Sequence, residues 1–138
     1  MRLTPDDVSW LREYLVRIQD AVPRLRLDER VGGGATAGQL AFHAAESADQ
    51  WIRHHMLGAE RPRDRDAEFT GRPARDDVLA ALTRALDACD ELERRDLDLD
   101  EHGPTHPFGT RDWTLGRCLL HATAHTAEHA GHLEATLS

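Results

Sequence analysis

The stretch His121-Ala-Thr-Ala-His125-Thr-Ala-Glu-His129-Ala-Gly-His132 carries four imidazoles at offsets of four, four and three residues. At about 100° per residue, those offsets confine all four to one stripe of a single helix. An i, i+4 histidine pair sets two ring nitrogens about one turn apart, where both can bind one metal ion from the same side. His121/His125 and His125/His129 each form such a pair. In a chain with nine histidines, a solvated helix face stands beside the metal reading until another element supplies a third ligand.

The candidate third ligand is His43. Thr36-Ala37-Gly38-Gln39 matches a capping box, so a helix is expected to begin there, carrying Leu40, His43, Ser47, Trp51 and His54 along one stripe. Ala41, Ala44, Ala45 and Ala48 let neighbouring helices approach closely, which places His43 on the inward face. The helix bearing the histidine stripe opens at Trp113-Thr114-Leu115-Gly116, with Thr114 as its N-cap. Thr36-x-Gly38-x-x-x-x-His43 is echoed as Thr114-x-Gly116-x-x-x-x-His121, a weak sign of related helix hairpins. A lone inward histidine is more often a hydrogen-bonded core residue than a ligand. Three inward histidines from two helices change that balance, because a bound cation satisfies them together.

Two further helices frame these. Thr4-Pro5-Asp6-Asp7 supplies an N-cap, a proline at the first helical position and acids in the first turn. Val8, Leu11, Leu15, Ile18 and Val22 then form an apolar stripe ending near Pro23. The other helix runs from about Asp76 to Arg94 on Leu79, Leu82, Leu86, Cys89 and Leu92. Residues 24–35 and the polar, Gly/Pro-punctuated runs 57–73 and 95–112 are expected to be connections. The Arg/Asp alternation of the first long run predicts a solvated surface, with a substrate-facing role as the minor reading. The Asp/Leu alternation near Asp98 mimics a strand that has nothing to pair with.

The expected architecture is all-α, a four-helix bundle with long connecting loops, over residues 1–138 as a single domain. Charged residues make up 30 % and aromatics 5 %, the formal charge is −8, and every basic residue other than histidine is arginine. An acidic chain without a basic stripe excludes nucleic acid and anionic membrane as partners. With no apolar run of membrane length, no signal-peptide core, and Cys89 and Cys118 at apolar helix positions without CxxC spacing, a cytoplasmic protein with buried free thiols is expected.

The capped helix with inward His43, the two framing helices, and Trp113-Thr-x-Gly followed by His125-x-x-x-His129-x-Gly-His132 together resemble the DinB/YfiT-like superfamily. That superfamily includes mycothiol- and bacillithiol-dependent S-transferases. The resemblance implies a four-helix bundle with a three-histidine site for a divalent metal, zinc first and nickel second, with His43, His125 and His129 as ligands. His121 could replace His129 beside His125; Gly131 and His132 match the family ending and favour the later pair. His132 is then expected behind the ligands or on the pocket wall, and His54, His55, His102 and His106 at the surface or in loops.

Three imidazoles are neutral, so a bound zinc ion keeps its double charge and an open position, and it can lower the pKa of a bound water or thiol. The resemblance therefore implies a metal-dependent transferase that activates a low-molecular-weight thiol, such as mycothiol or bacillithiol, for attack on an electrophilic small molecule. Two alternatives stand beside it. One is a non-catalytic, stress-associated metal-binding bundle that could pair as a homodimer. The other is a metal-dependent hydrolase with Glu46 or Glu128 as general base. A di-iron centre lacks its Glu-x-x-His pairs here.

Overall fold

The computed structural model describes residues 1–137. Its helices are α1 (Pro5–Ala21), α2 (Ala37–Gln50), α3 (Arg65–Thr70), α4 (Arg75–Glu93) and α5 (Leu115–Ala135), four long and one short. A 3₁₀ turn, Val22–Arg24, follows α1, and a π-helical segment, Trp51–Met56, continues α2. No strand occurs among the described residues, and none of the helices is long and apolar enough to cross a membrane.

The expected caps are in place. The Thr4 N–H donates to the Asp7 carboxylate at 2.7 Å. At α2 the Gln39 N–H donates to Thr36 Oγ1 at 3.1 Å while the Thr36 N–H donates to Gln39 Oε1 at 3.0 Å. Thr114 Oγ1 accepts from the Arg117 N–H at 3.1 Å. Each bond satisfies a backbone donor that the first helical turn leaves without a partner.

The long helices pack so that α1 and α2 each lie against both α4 and α5. Helices joined by the 25–36 and 94–114 connections therefore sit diagonally, and those connections cross the ends of the bundle. Val8, Leu11, Leu15 and Ile18 of α1 and Val78, Leu82, Cys89 and Leu92 of α4 are fully buried. Ala41, Ala44, Ala45 and Ala48 of α2 are buried with them. The apolar stripe of α4 is rotated slightly from expectation, since Leu79 and Leu86 are half-buried while Val78, Ala81 and Ala85 face inward.

The two connections close on their helices in the same way. Leu27 O accepts from the Gly38 N–H and Leu99 O from the Gly116 N–H, both at 2.9 Å. Glu29 O accepts from the Ala37 N–H at 2.8 Å, and Glu101 O from the Leu115 N–H at 2.9 Å. Single antiparallel bridges join Arg30 to Thr36 and His102 to Thr114. The echo in the sequence is thus a shared backbone motif. A Cβ on Gly38 would lie 3.1 Å from Leu27 O, and one on Gly116 3.1 Å from Leu99 O. That close approach is what glycine permits.

Two expectations are corrected. The 57–73 run contains α3, capped by Asp64, whose side chain accepts from the Ala67 N–H at 3.1 Å. The run is also no plain solvated surface, because Glu68 is 3 % exposed and Arg61 and Arg63 are largely covered. The Asp/Leu alternation does find a partner, in residues 1–3. The Leu3 N–H donates to Leu97 O at 2.9 Å, and the Leu99 N–H to Met1 O at 2.8 Å.

Candidate metal centre

His43 sits two turns into α2 and is 4 % exposed, while His125 and His129 sit one turn apart on α5 and are half-buried. Because α2 packs on α5, the three rings converge. His43 Nε2 lies 3.2 Å from His125 Nε2, which lies 3.1 Å from His129 Nε2. One ligating atom from each residue falls within 4.8 Å of the other two.

The chemistry of this donor set fits a small divalent cation. Tetrahedral nitrogen ligands at about 2.0–2.1 Å from zinc stand roughly 3.3–3.4 Å apart, close to the separations here. His125 Nδ1 and His129 Nδ1 are buried with no hydrogen-bond partner among the described residues. Nε2 atoms at the separations seen here repel through their lone pairs unless a proton or a cation lies between them. Burial, reinforced by the neighbouring imidazoles, pushes His125 down to about 3 and His129 to about 4, which keeps both rings neutral and able to ligate.

His43 is held from behind by a carboxylate. Its Nδ1 lies 2.8 Å from Glu68 Oε1, and since a carboxylate only accepts, Nδ1 carries the proton and Nε2 presents its lone pair to the cluster. Arg63 fixes Glu68 in turn, donating from Nε to Oε2 and from Nη2 to Oε1, both at 2.8 Å. Burial works to raise the Glu68 carboxyl, but the bonds from Arg63 and His43 outweigh it and hold the group below the usual carboxylate range.

A cavity of about 400 Å³ opens beside the cluster, lined in part by His43, Ser47, Trp51, His55, His121 and His125. Phe108, from the 94–114 connection, completes its aromatic part. His121 packs on Trp51 with ring centroids 4.3 Å apart and stands 6.1 Å from the His125 ring, so it belongs to this wall while His129 joins the cluster. Two other hollows, of about 370 and 560 Å³, contain no histidine.

Two histidines differ from expectation. His132 is exposed: its angle keeps it on the stripe, but it lies in the last turn of α5, beyond the three-histidine cluster. His55 is half-buried in the cavity, its Nδ1 2.6 Å from Thr105 Oγ1, and burial lowers it to about 4. The π turn explains this: its wider winding carries the i, i+4 series His43, Ser47, Trp51 one step further to His55 rather than His54. His102 and His106 are exposed, as expected, and His54 is half-buried with Nδ1 2.8 Å from Ala59 O. Cys89 and Cys118 are fully buried free thiols.

Sequence reasoning missed Glu68, Arg63 and Arg65. Their only signal is Asp64 as an N-cap before a helix of six residues, too short to display a helical period. Glu46 pairs instead with Arg61 at 2.9 Å, and Glu128 is exposed, so neither lines the cavity.

The family described as the DinB superfamily matches residues 8–133 of the chain. No curated protein and no solved structure matches it.

Proposed function

This chain belongs to the DinB superfamily, and on that premise we propose a metal-dependent S-transferase in which His43, His125 and His129 hold a divalent ion, zinc in the first instance. A low-molecular-weight thiol of the mycothiol or bacillithiol kind would be joined to an electrophilic small molecule in the adjoining cavity. The observation that carries the reading is the convergence of three imidazole nitrogens beside that cavity, whose wall includes His43 and His125. The thiol itself rests on superfamily membership.

When bound, an ion held by three uncharged ligands keeps its full double charge and lowers the pKa of a thiol or water beside it. The protein's own groups prepare that position. Glu68 takes the Nδ1 proton of His43 and so aims the Nε2 lone pair inward. Burial keeps His125 and His129 uncharged near neutral pH. Trp51 and Phe108 give the cavity an apolar side that excludes water from the reacting centre. The cavity reaches His43 and His125, which supports an accessible position over a closed structural site. No carboxylate among the described residues lines it, which disfavours hydrolysis with a glutamate base.

Elemental analysis of protein purified without chelators or a histidine tag tests the site. About one equivalent of zinc or nickel is expected, lost in His43→Ala, His125→Ala and His129→Ala with helix content retained by circular dichroism. Unchanged stoichiometry in any of the three removes that residue from the ligand set. Metal-loaded protein that conjugates no low-molecular-weight thiol to any electrophile in a broad screen would return the centre to a non-catalytic, metal-binding role.

A further inference from the structure

The cavity beside the three histidines differs in charge from the molecule around it. The chain carries a formal charge of −8, yet among the described residues no Asp or Glu lines this cavity, whereas Arg63 and Arg65 both do. The two arginines have different commitments. Arg63 gives two donors to Glu68, so its charge is matched and its fork filled. Arg65 forms no ion pair among the described residues. Arg65 is exposed at the edge of the cavity; its guanidinium carbon rests over the Phe69 ring, 5.3 Å from the centroid, and its N–H donors are open.

The same lining supplies a surface for a flat apolar body. Trp51 is 6 % exposed, Phe108 is 55 % exposed, and their rings meet edge to face with centroids 6.2 Å apart. A pocket with an apolar wall and a single uncommitted charge at its edge orients a small ligand by that charge.

We propose that this cavity takes a small organic carboxylate, with the carboxylate on the Arg65 guanidinium and the body of the molecule against Trp51 and Phe108. One uncommitted guanidinium matches a carboxylate in both charge and geometry, since its planar fork meets two oxygens at once. A phosphate dianion would leave one charge unmatched against an apolar wall. The inference rests on the proposed function in taking this cavity for the substrate pocket, and it names the class of substrate: an electrophile bearing a carboxylate.

The test is isothermal titration of the full chain with benzoate and with its neutral isostere benzamide, on protein as purified and after chelator treatment. Arg65→Gln is compared with Arg94→Gln, an exposed arginine at the end of α4 that lies outside the cavity. Benzoate is expected to bind about tenfold more tightly than benzamide, with and without metal. That preference should fall to about one in Arg65→Gln and persist in Arg94→Gln. Equal binding of the two probes, binding of neither, or a preference that survives Arg65→Gln would overturn the proposal. A preference abolished by the chelator alone would assign the carboxylate to the metal and overturn it as well. The metal reading fails separately, in the elemental analysis, so the two results are distinguishable.

Discussion

Glu68 does for His43 what no described residue does for His125 or His129, whose Nδ1 atoms are buried and unpartnered. A carboxylate behind a ligating imidazole fixes its tautomer and raises its basicity, and removing such a partner costs about 10–100-fold in metal affinity. Glu68→Gln is therefore expected to weaken metal binding by that factor. The glutamine oxygen can still accept from Nδ1, but Arg63 loses its anion. Competition titration against a chromophoric chelator measures the affinity. Histidine ¹⁵N shifts supply a reading that a purely structural role would not move, with His43 held as the Nδ1–H tautomer in the wild type and as a mixture in the variant. Unchanged affinity and an unchanged tautomer would reduce Glu68 to a packing residue. Nothing in the sequence marks this carboxylate, because an i, i+3 Arg65/Glu68 pair in a charged run looks like any solvated face. Its meaning comes from where α3 lands on α2. The histidine pair is different: the i, i+4 spacing of His125 and His129 is fixed by helix geometry alone, so it is legible before any packing is known.

At the scale of elements, caps and periods were legible because each is local. Thr36/Gln39 and Thr114 report helix starts through a few backbone bonds, and the α1 stripe needs only a period of 3.6. Two features were not local. The π turn at Trp51–Met56 leaves no trace in composition, yet it exchanges His54 for His55 in the cavity. The pairing of Asp98 with Arg2 joins segments more than two-thirds of the chain apart. The repeated glycines lie between these extremes, visible in the sequence as an echo but explained only by the Leu27 and Leu99 carbonyls. A Cβ at Gly38 or Gly116 would press on backbone, which yields less readily than the end of a side chain. Gly38→Ala and Gly116→Ala are each expected to destabilise by about 1–2 kcal/mol, the lower part of the overpacking range. Gly131, in α5, meets nothing within 4 Å. Gly131→Ala should instead stabilise by roughly 0.5–1 kcal/mol through helix propensity. Urea denaturation with unchanged m-values checks all three. Equal effects at Gly38 and Gly131 would show that the close approach in the connections carries no energetic weight.

Across the whole molecule, the diagonal arrangement makes one core shared by all four long helices, and the two thiols report on it. Cys89 on α4 and Cys118 on α5 are each fully buried. Burial pushes Cys89 up to about 12 and Cys118 up to about 11, against an ordinary value of 9.0. For an acid whose pKa is raised by folding, the unfolded chain ionises first. The stabilisation is thus fully present below about pH 9 and is lost as pH rises through the folded values. Each thiol contributes a slope of about −1.4 kcal/mol per pH unit while the unfolded thiol is ionised and the folded one is not. Between pH 9 and 11 both act together. The unfolding free energy of the wild type should fall steeply over that window, and a Cys89→Ala/Cys118→Ala variant should show a shallower fall, with the remaining slope set by the other groups that titrate there. The variant starts from lower stability at pH 7, because two buried sulfurs leave small voids. The decisive quantity is therefore the difference in slope, read from urea midpoints across the alkaline range. Parallel slopes in the two proteins would mean that the thiols titrate alike folded and unfolded, and that solvent reaches the core between the long helices.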